Sequence, residues 1–517
     1  MPLTRSWVSW SGVTWSIERH DPGTSEVSEP FGESREGPIR LAWASEVGRF
    51  SAVTMNLSSW SPWRRRALRC FRTGRLAGAA LAALLLAQNR IAAGVRLAVI
   101  GDSLSAEYDA LPDIPGVDDP TAYAAVTVPG WESRCWVEVL GLLRPGAVDL
   151  GPQKPDLPGW GDFRFTGYKY NFAIPGYEAS QYEDIVDSSL FSNPQYLLFR
   201  GTLRDVLKND VDTCVVWIGA NDFRANYGFL ADGGDPVPLI QGLRQDLGKI
   251  LDFVTGQSSS LRVVVVNLPD LGATPTKQAA HPDPAKRDRA SQDIALANQA
   301  INEVASAHGL PVADVFSATR RLIEGENIWF GAIEIQPGTN PDNDPHFAFA
   351  RDGLHPNTGL QIEIARIIVA TMNERYGAAI PAITDAEALG LLGISPQEPY
   401  LNWVTAHALA ANGMSDDPDQ DGIANLVEFV FDLDPKSPSP SPMTIAASAA
   451  GVDASYRADP ARLRLAGVTP RWSTDLLSWT DIPTGNLTTA GDGRVTVHFP
   501  AKGSAGYLRL DVALKGE

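Results

Sequence analysis

The sequence predicts an α/β protein with a mostly parallel sheet, followed by a short helical segment and a small C-terminal β-sandwich. Three observations predict it. Short, continuous apolar runs occur at residues 95–100 (VRLAVI), 214–218 (CVVWI) and 261–269 (LRVVVVNLP), as expected of parallel strands covered on both faces. Apolar residues between and after them fall at helical spacing: Ile294, Ala297, Ile301 and Val304, then Leu360, Ile364 and Ile368. Beyond residue 443 the pattern changes to short alternating runs, such as 494–499 and 507–510, separated by Gly-Asp-Gly and Pro-Thr-Gly turns. Strands alternating with helices pack as a sheet covered by helical layers.

Composition narrows the function classes. The 517 residues leave room for several domains of ~100–200 residues each. A chain that is 44% hydrophobic and 20% charged is an ordinary soluble globular one. With 43 basic and 61 acidic residues the net charge is −18, which argues against nucleic acid as a partner. Cys70, Cys135 and Cys214 are too few for a disulfide framework and lack the spacing of a zinc site. Cys214, inside an apolar run, reads as a buried free thiol. His281, His308, His346, His407 and His498 show no metal-ligand spacing either. No apolar run reaches the ~20 residues needed to span a bilayer.

Residues 1–54 are rich in Ser, Glu and Gly and aperiodic, and read as an extension ahead of a true start at Met55. Residues 55–94 contain no acidic residue; six arginines, Arg64, Arg65, Arg66, Arg69, Arg72 and Arg75, precede the twelve-residue apolar run 76–87 (LAGAALAALLLA). A basic stretch leading into a short apolar run is the layout of a signal peptide. The expectation is export, with cleavage near Ala87 or Ala93.

In parallel sheets ligands gather beyond the carboxyl ends of the strands, so the segment after each apolar run is where chemistry is expected. After the first comes Gly101-Asp102-Ser103-Leu104, where a serine at a sharp turn can present its hydroxyl as a nucleophile. Asn171-Phe-Ala-Ile-Pro-Gly176 ends in a glycine able to offer an unobstructed N–H. After the second run comes Gly219-Ala220-Asn221-Asp222, which offers a side-chain amide. In Asp352-Gly-Leu-His355-Pro356 one loop can present a base and the carboxylate that orients it. Singly, Ser103 could be a helix cap, Asn221 a turn residue and His355 a surface histidine. Their joint occurrence in this order is far more specific.

These residues resemble the SGNH/GDSL hydrolase family, whose four name-giving residues fall on Ser103, Gly176, Asn221 and His355. The resemblance spans about residues 95–376. It implies a flavodoxin-like three-layer α/β/α sandwich and hydrolysis of carboxylic esters with no cofactor. Ser103, Asp352 and His355 would be the catalytic residues, and Ser103, Gly176 and Asn221 the oxyanion hole. The substrate would be an acetylated carbohydrate or a lipid ester. The stretch 105–170 is long for the family. Its Trp131, Trp136, Trp160, Tyr168 and Tyr170 are expected to complete the core or cover the sheet edge rather than form part of the substrate pocket. Asp102 and Asp222 are expected to fix local turns, and Arg224 to sit in a surface ion pair rather than meet an anionic part of a substrate. The other reading is an idle hydrolase fold serving carbohydrate binding or adhesion.

Beyond the domain at 95–378, the helical linker 379–435 holds Asp417-Pro-Asp419-Gln-Asp421-Gly-Ile423-Ala-Asn425-Leu-Val-Glu428. It fits the twelve-residue calcium-loop template, with oxygen ligands at places 1, 3, 5, 7, 9 and 12 supplied by Asp417, Asp419, Asp421, the Ile423 carbonyl, Asn425 and Glu428. Helix-like stretches flank it at 399–411 and 424–431. It resembles dockerin and thrombospondin type 3 calcium repeats, so a structural calcium ion is expected. Residues 436–442 (KSPSPSP) form a stiff spacer. The tail 443–517 reads as a β-module, with an expected role in surface or glycan contact, or in packing alone.

Overall fold

The computed structural model describes residues 40–42, 52–54, 94–108, 127–128, 131–154, 160, 162, 164, 167–187, 193–448, 451–500 and 507–515. Arg40–Ala42 and Ala52–Thr54 pair antiparallel. The basic stretch, the apolar run 76–87 and Cys70 lie outside the described residues. Among the described residues no helix is long and apolar enough to cross a membrane.

From residue 94 the chain builds a parallel sheet. Its strands are β1 (Val95–Gly101), β2 (Val148–Asp149), β3 (Asn171–Ala173), β4 (Thr213–Trp217), β5 (Arg262–Val266) and β6 (Val312–Ala313). The order is β6-β5-β4-β1, with β1's outer edge shared between β2 at its start and β3 at its end. All these pairings are parallel. Counting β2 and β3 as one edge position, this is the doubly wound order of flavodoxin, as the resemblance implied.

The apolar runs work as expected because both faces are covered. Val95, Leu97, Val99, Val215, Trp217 and Val264 face a layer containing α1 (Trp136–Leu143) and a long helix near the end of the domain. Ala98, Ile100, Cys214, Val216, Val263 and Val265 face the opposite layer. That layer holds α2 (Ala179–Val186), α3 (Pro194–Asn209), α4 (Ala220–Ala231), α5 (Val237–Thr255) and, after the short α6 (Pro275–Ala280), α7 (Pro284–Ala307). The stripe Ile294, Ala297, Ile301 and Val304 lies on the buried side of α7. Asp283 caps that helix by accepting from Ala285 N, and Pro284 opens it. After α8 (Val315–Ile323) come β7 (Ile328–Phe330), β8 (Ile333–Thr339) and β9 (Phe347–Phe349), then α9 (Thr358–Tyr376). Leu360, Ile364 and Ile368 of α9 are buried. Cys135 and Cys214 are buried free thiols.

Part of the segment expected to be linker belongs to this core. Ile380, Ile383, Leu389, Leu392 and Ile394 pack with it, carried by α10 (Asp385–Leu392) and its flanks. The buried Arg144 fastens them: it donates to the carbonyls of Pro381 (2.7 Å) and Ala382 (2.6 Å) and pairs with both carboxylate oxygens of Glu387. The apolar run ALGLLGI explains the extension, since an amphipathic turn must bury its apolar side somewhere.

Helices α11 (Glu398–Ala406) and α12 (Asn425–Phe431) flank the acidic loop, the first ending short of the expected 411. The tail forms two antiparallel sheets: β10 (Met443–Ser448), β11 (Gly451–Tyr456), β15 (Val495–Pro500) and β14 (Leu487–Thr489) in one, and β13 (Thr480–Asp481), β12 (Ala466–Ser473) and β16 (Tyr507–Leu514) in the other. The acidic-loop helices and this sandwich share one core. Tyr400, Trp403, Phe429, Val430 and Phe431 pack with Ala454, Tyr456, Ala466 and Val497. Phe429 meets Tyr400 edge-on at 5.6 Å between ring centres, and Phe431 meets Tyr456 at 6.0 Å. Phe429→Ala is therefore expected to cost about 3–5 kcal/mol, read as a lowered unfolding midpoint of the C-terminal region; an unchanged midpoint would contradict the shared core.

Candidate active site

Order reverses at β1, whose two neighbours β3 and β4 lie on opposite sides. At such a switch point the loops leaving the carboxyl ends diverge and open a crevice. Ser103 follows β1, Gly176 follows β3 and Asn221 follows β4, so the topology brings three distant segments together.

Ser103 sits in a turn in which the Asp102 carbonyl accepts from Ser105 N and Ala106 N, both at 3.1 Å. His355 comes from the loop between β9 and α9. That loop folds back on itself through Ala350 N to His355 O (2.8 Å) and Gly353 N to Ala350 O (2.8 Å). Ser103 Oγ lies 3.0 Å from His355 Nε2, and His355 Nδ1 lies 2.5 Å from Asp352 Oδ2. Asp352 Oδ1 accepts from Leu354 N and His355 N at 2.9 and 3.0 Å. Burial raises the Asp352 carboxyl, but the hydrogen bond and charge of His355 and the two backbone N–H groups outweigh it and hold it below the usual carboxylate value. An ionised Asp352 can only accept, so His355 carries its proton on Nδ1 and turns the Nε2 lone pair to the serine. Ser103 and His355 are 8% and 5% exposed, enough for contact with a substrate but not for free hydration.

The backbone N–H groups of Ser103 and Gly176 make no hydrogen bond among the described residues. Gly176 has φ +78°, the left-handed region that suits glycine. Gly219, at φ +110°, turns the chain sharply into α4, which places Asn221 on the first helical turn. Asn221 Nδ2 donates to Tyr177 O at 3.0 Å, leaving its second hydrogen for another acceptor. Arg224 Nε donates to Asn221 Oδ1 at 2.9 Å. A guanidinium can only donate, so this contact fixes which end of the amide is oxygen.

Other expectations need correcting. Arg224 makes no ion pair among the described residues; the amide of Asn221 occupies its Nε. Asp222 fixes no local turn. Its carboxylate accepts from Ala179 N, 43 positions away, and so caps the start of α2. Asp102 does brace its own turn, accepting from Leu104 N at 2.9 Å, but its Oδ2 is buried with no hydrogen-bond partner. Burial pushes Asp102 up to about 7 against the lowering effects of Leu104 N, His355 and Arg224, while Asp222 adds to the rise. Of the aromatic residues in 105–170, Trp136 is fully buried, as expected, with its indole N–H on Ser105 Oγ. Tyr168 and Tyr170 are half-buried, and Trp160 donates to Gly167 O. The side chain of Trp131 lies outside the described residues.

Tyr108 is a site residue that the sequence alone does not reveal. Its ring meets His355 edge-on, 6.0 Å between centres, and its hydroxyl donates to Pro356 O while accepting from Gln361 Nε2. It props the histidine loop against α9. Nothing in the local pattern around Tyr108 distinguishes it from an ordinary core tyrosine.

A doubly wound α/β sheet with Ser, His and Asp in one hydrogen-bonded line at its switch point has the geometry to present a serine hydroxyl to an acyl group. The chain belongs to the GDSL-like lipase/acylhydrolase family, whose model matches residues 97–368, and it is a carboxylic ester hydrolase. No curated protein matches the sequence. Among solved structures it is similar to phospholipase A1 from Streptomyces albidoflavus NA297 (15% identity, 54% of this chain and 100% of that one, TM-score 0.31). It is also similar to the acetyl xylan esterase AlAXEase (14%, 53% and 98%, TM-score 0.29) and to a Clostridium thermocellum family 3 carbohydrate esterase (13%, 56% and 100%, TM-score 0.27).

The acidic loop forms a second centre. Carboxylate oxygens of Asp417, Asp419 and Asp421 lie within 4.8 Å of one another. The loop's own N–H groups satisfy one oxygen of each: Gly422 N to Asp417 Oδ2, Asp421 N to Asp419 Oδ1, and Ile423 N to Asp421 Oδ1. Asp417 Oδ1, Asp419 Oδ2 and both oxygens of the fully buried Glu428 are left with no partner. Burial pushes Glu428 up to about 7, and the charges of Asp419, Asp421, Asp417 and Asp434 push the same way. Asp421 Oδ2 accepts from Ser439 N of the spacer, and Asn425 Nδ2 donates to the carbonyls of Ala411 and Gly413, leaving its Oδ1 without a partner. Buried carboxylate oxygens without donors are costly unless a cation or proton meets them, and an all-oxygen donor set suits a hard cation.

The raised Asp102 makes a pH prediction. Its folded form holds the proton more tightly than the unfolded chain does, so this group's contribution to stability falls as pH rises from about 4 through about 7. Asp102→Asn removes that titration and keeps an acceptor for Leu104 N. The melting temperature of the variant minus that of the parent should rise across this window and level off above it; a flat difference would contradict the assignment.

Proposed function

We propose that Ser103, His355 and Asp352 act as a catalytic triad, with the N–H groups of Ser103 and Gly176 and the amide of Asn221 as the oxyanion hole. The observation that carries this reading is the unbroken line from Ser103 Oγ through His355 to Asp352, at 3.0 and 2.5 Å. His355 Nε2 takes the proton of Ser103 as its oxygen attacks the ester carbonyl. Asp352 stabilises the imidazolium that results. The carbonyl oxygen becomes negative and is met by the three donors, each typically worth ~3 kcal/mol of barrier. His355 then protonates the departing alcohol. Water, deprotonated by the same imidazole, attacks the acyl-serine and restores the enzyme.

The reading extends to an acetylated carbohydrate or a lipid ester as substrate, and to export directed by residues 55–94, supported by the basic-then-apolar sequence pattern. Within it Asp417, Asp419, Asp421, the carbonyl of Ile423, Asn425 and Glu428 would hold a structural calcium ion. The unpartnered oxygens of Glu428, Asp417 and Asp419 support this. The ion would tie the loop to the core shared by α12 and the sandwich.

Ser103→Ala should lower kcat on a short acyl ester by about 10⁴-fold or more, abolish labelling by a fluorophosphonate, and leave the circular dichroism spectrum unchanged. Turnover at the parent rate would refute the triad. Millimolar calcium should raise the melting temperature of the full chain, by the equivalent of about 2.7 kcal/mol at a hundredfold excess over Kd. Glu428→Gln should remove that response; a parent protein indifferent to calcium would end the metal assignment.

A further inference from the structure

The cavity around the nucleophile is lined by Ser103, Asn221, Leu271, Leu354 and His355, and by one exposed cation, Arg224. Arg224 spends only its Nε, on Asn221 Oδ1. Its two terminal amino groups make no hydrogen bond or ion pair among the described residues. Beside it stands a second cation. Lys277 donates from Nζ to the backbone carbonyl of Arg224 at 3.0 Å and lies 5.1 Å from the centre of the Tyr227 ring. It too has no carboxylate partner among the described residues. Burial, and then the charge of Arg224, hold its ammonium below the usual lysine value.

The surroundings make this pair unusual. Of the other cations nearby, Arg320 pairs with Asp270, Asp288 and Glu324, and Lys286 with Asp232, while Arg287 and Arg289 donate to the backbone carbonyls of His281 and Ala231. Asp102 and Asp270 line the cavity and Asp352 stands behind His355, and among the described residues none of them pairs with Arg224 or Lys277. Asp270 accepts from Gly272 N, Ser291 Oγ and Arg320, Asp352 holds His355, and Asp102 is buried on the Leu104 N–H. Two like charges side by side repel, and in a chain of net charge −18 a counter-ion from the protein itself would be easy to supply. A guanidinium's planar fork is suited to a carboxylate or phosphate held by two parallel hydrogen bonds.

We propose that Arg224, backed by Lys277, binds an anionic group, a carboxylate or phosphate, carried by the ester substrate close to its scissile carbonyl. The assignment rests on the hydrolase reading and narrows its substrate class. Arg224 then has two separable roles: its Nε orients the oxyanion donor Asn221 for every substrate, and its free amino groups select the charged ones. The long-range field of an acidic protein disfavours polyanions, whereas this pair offers local compensation for a single anion at the ester.

The test is kcat/KM on matched pairs. In one pair 4-nitrophenyl hemisuccinate is compared with 4-nitrophenyl butyrate. Two further pairs separate the sources of the anion: O-acetylated galacturonate against acetylated xylose oligomers, and short-chain phosphatidate against the corresponding diacylglycerol. The parent should favour the anionic member in at least one pair, less so at high salt. Arg224→Gln should cut that preference about tenfold, and Lys277→Gln should reduce it by a smaller factor. Arg224→Lys should lower kcat on neutral and anionic esters alike, through the loosened Asn221, while keeping most of the preference. Anionic-to-neutral ratios in Arg224→Gln equal to those of the parent in all three pairs would overturn the proposal and leave Arg224 a positioning residue. Failure of the parent to turn over any ester, with no fluorophosphonate on Ser103, would instead overturn the hydrolase reading.

Discussion

The parallel pairing of β1 with β3 on one side and β4 on the other is the constraint on which the site depends. Neither Ser103 nor Asn221 nor Gly176 is near the others in sequence. They meet because three parallel strands end at the same level, and because the strand order reverses at β1. The register places Gly101 beside Trp217 and Ala173, so the three loops leave the sheet together. Parallel strands with such connections need both faces covered, and the two apolar layers meet that need. Fold stability and site geometry therefore rest on the same pairings.

Around that frame the polar groups fall into two kinds. Some are fully satisfied and rigid: Arg144 on the carbonyls of Leu143, Pro381 and Ala382 and on Glu387, and Gln361 between Trp136 N and Tyr108. Others are left with unused capacity; besides Tyr227 Oη, His346 Nε2 and Trp403 Nε1, those among the described residues lie at the chemistry or at the acidic loop. The N–H groups of Ser103 and Gly176, the second hydrogen of Asn221 Nδ2, the outer nitrogens of Arg224 and the oxygens of Glu428 are all of this second kind. Buried polar atoms without partners cost free energy, so the unpartnered oxygens of Asp417, Asp419 and Glu428 in one loop are informative, whereas the exposed nitrogens of Arg224 are open to water.

Much of this is legible in the residues alone, for identifiable reasons. The strands β1, β4 and β5 are unbroken apolar runs, and a doubly covered strand has few other ways to look. Ser103, Gly176, Asn221, Asp352 and His355 stand in short blocks whose chemistry is local, so order and residue type are enough to nominate them. The features that stay hidden depend on distant partners. Asp222 caps a helix 43 positions away, Tyr108 braces a loop roughly 250 positions away, and Arg224 meets the amide of Asn221 and no carboxylate among the described residues. The end of the α/β core is hidden too, because the helix at 385–392 reads as amphipathic wherever it docks, and only Arg144 and the buried Ile380 and Ile383 reveal where it does.

The most direct measurement is mass spectrometry of the full chain quenched during turnover of a slowly deacylated ester. A transient adduct of acyl mass should appear only on the peptide that contains Ser103, formed in a burst and lost as product appears. Sustained turnover with the acyl group on another residue, or with no acyl-enzyme and an undiminished rate when residue 103 is alanine, would contradict Ser103 as the nucleophile.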